Sequence, residues 1–195
     1  MENIKIIDRK VLTDETYRLE EIIFTKPGLD GKVHEQKNEI YFRPDAVAVL
    51  LIDKQKEEFI LARQIRLPVF LNPQKFSDGY LIEACAGLIE EGEDPKEAVI
   101  REAKEETGFE IHDPKKVGEI YTSAGGLTEY LHLYLAEINS DEQQEDGGGA
   151  EGEGEDIELI RLSFSDAEQR IGSGQVDDAK TLLLLQHYFL FYNRL

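Results

Sequence analysis

The sequence predicts an α+β fold, with a small antiparallel sheet at the N-terminus and a larger domain of strands and helices behind it. Three observations lead there. Residues 1–45 alternate apolar and polar positions in several short stretches. Residues 46–52, a continuous apolar run, and 59–65, apolar but for Arg63 and Gln64, read as buried strands. A helix with strong boundary residues then runs from Pro95 to just before Gly108. The length, 195 residues, suits one ordinary domain with an added element, and residues 1–45 and 46–195 are read as its two parts.

Taken in order, Ile4 and Ile6, then Tyr17 and Leu19, with Ile22 and Phe24 in a neighbouring register, mark strands. Pro27-Gly28-Leu29-Asp30-Gly31 is a turn signal, and an extended pattern resumes over 33–42. Residues 53–58 turn between the two apolar strands. Residues 67–79 read as loop, with Pro68, Asn72, Pro73, Ser77, Asp78 and Gly79. Residues 81–86 read as one strand running directly into Gly87. For the helix, Asp94 is the N-cap, Pro95 the first residue and Glu97 the N3 partner of a capping box; Gly108 is the left-handed stop. Residues 117–122 and 131–138 are strands. Residues 139–156, rich in Asp, Glu, Gln and Gly, cannot bury apolar surface and are expected to be a mobile loop. A short strand over 157–162 and helices over 163–171 and 179–193 complete the chain, which has no internal repeat.

Composition limits the partners. The chain is 41% hydrophobic, enough to bury a core without staples. One cysteine, Cys85, excludes an internal disulfide and fits a reducing cytoplasm. The formal net charge of −19 repels nucleic-acid backbones and anionic membranes, so neither is an expected partner. The N-terminus carries no basic, then apolar, leader pattern. Apolar runs such as 46–52 and 182–185 fall far short of the ~20 residues that span a bilayer, so a soluble, cytoplasmic protein is expected. His34, His112, His132 and His187 share no ligand spacing and read as structural or exposed.

The chemistry lies in Gly87-x5-Glu93-x7-Arg101-Glu102-Ala103-x-Glu105-Glu106-x-Gly108-Phe109. On the proposed helix Glu102, Glu105 and Glu106 project from one face. Gathered carboxylates repel by a few tenths of a kcal/mol per pair, about the wrong sign for stability. A divalent cation reverses that sign. Oxygen ligands on a rigid helix suit Mg²⁺, with Mn²⁺ as a substitute, rather than zinc. Gly87 permits close backbone approach, and the Ala86 carbonyl adds an oxygen. An ordinary acidic surface helix accounts for one such Glu but not for the set. Arg101, four residues before Glu105, is placed to hold that carboxylate by an ion pair.

This run resembles the Nudix box, G-x5-E-x7-R-E-U-x-E-E-x-G-U, where U is a bulky aliphatic residue. Every charged and glycine position matches; Ala103 is smaller than the usual U, which bears on packing more than chemistry. The resemblance implies a Nudix α/β/α sandwich and metal-assisted attack of water on a diphosphate phosphorus. In that family the base is either a box glutamate or an acidic residue on a distant loop, so Glu102, Glu105, Glu106 and Glu155 are the catalytic candidates. Further stretches resemble the GDP-mannose pyrophosphatases of the ADP-ribose pyrophosphatase-like group. They are Lys37-Asn38-Glu39-Ile40-Tyr41, Arg63-Gln64-Ile65-Arg66, Glu83-Ala84-Cys85-Ala86-Gly87-Leu88, Ser123-Ala124-Gly125-Gly126-Leu127-Thr128-Glu129, Glu155-Asp156-Ile157-Glu158 and Asp178-Ala179-Lys180-Thr181.

By position, that resemblance implies that Ala86, Glu102, Glu106 and Glu155 bind Mg²⁺. Arg66, Ala86, Gly87, Leu88, Glu106, Glu129, Glu155, Lys180 and Thr181 would contact a nucleotide-sugar substrate. Lys37, Asn38 and Glu39, with Thr16 or Tyr17, would reach the site of the other subunit, because the family forms homodimers by exchanging its N-terminal sheet. Ala124 stands where a proline is common and Asn38 where a basic residue is expected; both bear on base or sugar preference. The implied reaction is GDP-mannose to GMP and mannose 1-phosphate, with ADP-ribose to AMP and ribose 5-phosphate as the alternative. A non-catalytic nucleotide-binding Nudix module is the reading from another class, and the intact box carboxylates argue against it. An acidic scaffold working through 139–156 is a third; deleting 143–149 is expected to leave the fold intact.

Overall fold

The computed structural model describes residues 4–72, 78–144, 147–149 and 156–192. The chain forms two compact units, one of residues up to Asp45 with Ile120–Leu131, the other of Ala46–Glu119 with residues from His132 onward.

In the first unit β1 (Lys5–Thr13), β2 (Leu19–Pro27) and β3 (Val33–Tyr41) form an antiparallel sheet in the order β1-β2-β3. Gly31 turns β2 into β3 with φ 75°, a conformation that favours glycine. Tyr17 lies before β2 rather than in a strand, its ring edge-on to Tyr41. The end of β3 is tied to the later segment by Tyr41 N–H to Gly126 O (2.8 Å) and Thr128 N–H to Tyr41 O (3.2 Å). Every residue of β1 is exposed, Ile6, Ile7 and Val11 among them.

The second unit contains β4 (Ala46–Asp53), β5 (Glu58–Ile65), α1 (Leu67–Phe70), β6 (Tyr80–Glu83), β7 (Cys85–Leu88), α2 (Pro95–Thr107), β8 (Lys115–Tyr121), β9 (Tyr130–Glu137), β10 (Glu158–Ser163), α3 (Phe164–Ser173) and α4 (Ala179–Leu190); β8 ends and β9 begins within the segment shared with the first unit. The strands run β10-β5-β4-β9-β8, with β6 beside β5 and β7 beside β4. β4 is buried along its whole length. Its alternate residues Val47, Val49 and Leu51 pack with Ala98, Val99 and Ala103 of α2. On β5, Ile60 joins that cluster while Phe59 meets Phe164 of α3 and Tyr188 of α4 at 4.6 and 4.9 Å between ring centres. The sheet is therefore covered by helices on both faces, an α/β/α sandwich.

Three local expectations need correction. The run 81–86 is two strands, not one. The Ala84 N–H leaves the ladder and donates to Thr181 Oγ1 at 2.7 Å; before it Glu83 pairs with Ala62 of β5, after it Ala86 pairs with Ala48 of β4. A short helix, α1, replaces part of the expected loop 67–79, and Pro68 suits its first turn because that N–H needs no partner. Asp94 does cap α2, but it accepts from Lys96 N at 2.8 Å rather than from the N3 amide. Gly108 ends α2 at φ 72° as expected.

The loop after β9 also departs from the expectation of free motion. Four of its described residues, Gln143, Gln144, Gly148 and Gly149, donate to the C-terminus of α2, where helix carbonyls lack partners. Gly148 N–H donates to Glu106 O (2.9 Å), Gly149 N–H to Glu105 O (3.2 Å), Gln144 N–H to Gly108 O (3.1 Å) and Gln143 Nε2 to Thr107 O (3.0 Å). Gly147 has φ 69°, and a Cβ there would meet Glu106 O at 2.6 Å. Among the described residues no helix is long and apolar enough to cross a membrane.

Candidate active site

The β7–α2 corner brings the box residues together. Glu102 and Glu106 lie one helical turn apart and both turn toward β7. Glu106, only 3% exposed, accepts from Ala86 N at 3.1 Å. The Glu102 carboxylate lies against the Gly87 backbone: a Cβ on Gly87 would fall 1.9 Å from Glu102 Cδ. Two oxygen-donor side chains thus converge on the main chain at Ala86–Gly87. Among the described residues no group of three His, Cys, Asp or Glu side chains is arranged to hold a metal ion. Cys85, buried beside them, has its thiol pushed up by burial first and then by the charges of Glu106 and Glu102.

Arg101 does more than the single ion pair read from spacing. It meets both oxygens of Glu93 (Nε 3.0 Å, Nη2 2.9 Å), Glu102 Oε1 (Nη1, 2.8 Å) and Glu105 Oε2 (Nη1, 3.0 Å), and donates to Leu88 O (Nη2, 3.1 Å). The planar fork matches the Glu93 carboxylate in the bidentate manner peculiar to arginine. Glu93 raises the guanidinium pKa most, and Arg101 in turn holds Glu93 below the usual carboxylate range. One cation therefore offsets much of the carboxylate repulsion and ties α2 to Leu88 at the end of β7.

Next to this corner the same unit gathers Arg66, Lys180 and Thr181. Arg66 Nε donates to Glu83 Oε1 at 2.6 Å, and Lys180 Nζ to Glu83 Oε2. Lys180 also lies 3.2 Å from Asp178 Oδ1. Asp178 caps α4 through Thr181 N and accepts from Thr181 Oγ1. The first unit holds the other predicted residues. Thr16 and Tyr17 precede β2, while Lys37, Asn38 and Glu39 lie on β3. Lys37 is ion-paired with Glu21 at 2.7 Å, and Glu129 with Arg43 at 3.1 Å. Glu129 also accepts from Thr122 Oγ1. Glu155 lies outside the described residues.

Residues 42–185 match the NUDIX domain. The chain belongs to the Nudix family. It is 40% identical, over 95% of its length and 94% of the relative's, to a GDP-mannose pyrophosphatase of Cronobacter sakazakii. It is 39% identical to the one from Salmonella arizonae and 38% to the one from Escherichia coli K12, each covering 95% of both chains. A solved structure described as an ADP compounds hydrolase superposes with a TM-score of 0.71, covering 100% of this chain and 98% of that one. At 17% identity that likeness speaks for the Nudix fold alone.

Nudix hydrolases in general require a divalent cation, and the chemistry of the corner suits one. The Glu102 and Glu106 carboxylates that meet there are the oxygen donors hard cations prefer. Sequence reasoning missed two participants near the Nudix box. Glu93 is more than a spacing position, being the principal partner of Arg101. Glu83 had no assigned role although it is the anion on which Arg66 and Lys180 meet. The one available signal was an acidic residue inside the apolar run 81–86, which has to find cationic partners once buried.

Proposed function

We propose that this Nudix hydrolase splits the diphosphate of a nucleotide sugar, GDP-mannose first, into GMP and mannose 1-phosphate in the cytoplasm, with Mg²⁺ as cofactor and Mn²⁺ as substitute. The observation that carries the reading is the convergence of Glu102 and Glu106 on the Ala86–Gly87 main chain. The substrate is supported by relatives about 40% identical over nearly their whole length, whose names give GDP-mannose.

Glu102, Glu106 and the Ala86 carbonyl would hold the cation, with Glu155 as a further carboxylate. When bound, it neutralises phosphate oxygens and lowers the pKa of the attacking water. Hydrolysis forms one O–P bond and breaks the bridging one; the water proton passes to a carboxylate, Glu105 or Glu155. Arg66 and Lys180 supply positive charge to the diphosphate. Gly87, Leu88 and Thr181 line its path, and Arg101 keeps the box carboxylates aimed at β7. Thr16, Tyr17, Lys37, Asn38, Glu39 and Glu129 complete substrate recognition in a homodimer.

A nucleotide-sugar panel with Mg²⁺, read by phosphate release after phosphatase treatment, tests this. GDP-mannose is expected to be turned over fastest. Faster turnover of ADP-ribose sinks the substrate assignment, and no turnover of any member with Mg²⁺ or Mn²⁺ sinks the enzyme reading.

A further inference from the structure

We propose that Glu83 is the positioning residue of a two-cation clamp, Arg66 and Lys180, that receives the substrate's diphosphate; this rests on the substrate contacts proposed above. Glu83 is 3% exposed, at the end of β6. Burying a carboxylate is costly, and an apolar residue there would serve stability as well. Its geometry serves something else. Each carboxylate oxygen takes one cation, Oε1 the Arg66 Nε and Oε2 the Lys180 Nζ, so one anion sets the separation of two positive groups. Arginine carries five donors and lysine three, and Glu83 takes one from each. Arg66 remains 38% exposed while held by the Nε edge, so its guanidinium plane is fixed without being covered.

The clamp is also locked to the carboxylate corner. Thr181, next to Lys180, accepts the Ala84 N–H, and Ala84 sits between Glu83 and the β7 residues that face Glu102 and Glu106. Asp178 holds Lys180 from the other side and fixes the start of α4. Preorganised cations bind an anion without first losing side-chain freedom.

Steady-state kinetics with GDP-mannose, and competition by inorganic pyrophosphate in excess Mg²⁺, test the proposal. Glu83→Gln is expected to raise KM and the pyrophosphate inhibition constant about tenfold, with kcat within about threefold, because uniform anion binding is lost. Glu83→Asp, which restores the charge, is expected to recover part of the loss. Wild-type KM and inhibition constant in a folded Glu83→Gln overturn the proposal. Should that variant fail to fold, unchanged constants in Glu83→Asp, whose shorter side chain moves both cations, overturn it instead. Arg66→Ala and Lys180→Ala separate the two levels. If they raise KM and Glu83→Gln does not, only the role of Glu83 falls. If neither changes KM, the substrate contacts themselves are wrong and the clamp falls with them.

Discussion

At Gly87 a missing side chain leaves room for a carboxylate. A methyl group there would overlap the Glu102 carboxylate, at 1.9 Å from its carbon and 2.1 and 2.2 Å from its oxygens. Gly87→Ala is therefore expected to push Glu102 off the corner and lower kcat by about a hundredfold, in keeping with loss of charge stabilisation at a metal-dependent step. Glu106→Gln should lose at least about as much while the melting temperature shows a retained fold. A Gly87→Ala enzyme with wild-type turnover would remove Glu102 from the reaction. The box was legible because three- and four-residue spacing on a helix puts carboxylates on one face. Glu83 was not, since its partners Arg66 and Lys180 come from 17 and 97 residues away, and no local pattern announces such a meeting.

At the level of elements, α2 is fixed at both ends, by Asp94 and by the loop that donates to the carbonyls of Glu105, Glu106 and Thr107. The composition of that loop argued for mobility. Its glycines instead allow close backbone approach to the helix end, which composition alone cannot reveal. Deleting 143–149 is now expected to destabilise the unit, by about 1–3 kcal/mol for each buried carbonyl left unpaired. Gly147→Ala is the milder probe: its φ of 69° and its contact with Glu106 O predict a lower melting temperature and a higher divalent-cation requirement. An unchanged cation requirement would separate loop from corner. A second loop contact sets an acid limit. Burial alone would raise the Asp53 pKa, but the Ser140 hydroxyl and the N–H groups of Ser140, Lys56 and Gln55 override it and hold the group at about 2. A depressed carboxylate stabilises the fold above its unfolded pKa and loses that contribution as pH falls through the folded value. The window is therefore pH 4 down to about 2, and the contribution is on the order of 2 kcal/mol. Denaturant titrations across that window should show Asp53→Asn losing this part of the acid slope; an unaltered slope would exclude Asp53 as its source. The change of strand partner at Ala84 was equally illegible, since an apolar run does not say which neighbour it pairs with.

For the whole molecule, the two units follow a boundary that sequence shows only in part. The start of the apolar run at Ala46 is visible; the attachment of Ile120–Leu131 to β3 is a long-range backbone pairing and is not. β1 exposes Ile6, Ile7 and Val11, a surface that the proposed homodimer would cover. Light scattering is expected to give twice the 22.2 kDa chain mass, and a species of one chain mass at micromolar concentration would refute the dimer. The charge of −19 imposes self-repulsion that salt screens, so the melting temperature should rise between about 0.01 and 0.15 M salt. A fall over that range would mean that ion pairs such as those of Arg101 outweigh the net charge.

Cys85 has a practical bearing. It is the one thiol in 195 residues, it is buried, and that burial, with the neighbouring Glu106 and Glu102 carboxylates, pushes its pKa well up. A thiol in that state is a poor nucleophile. The native chain is thus already a silent background for thiol-directed labelling. A single cysteine placed at Gln144 or on β1 would be the only one to take a fluorophore or spin label, so loop docking and subunit association can be followed in otherwise unaltered protein.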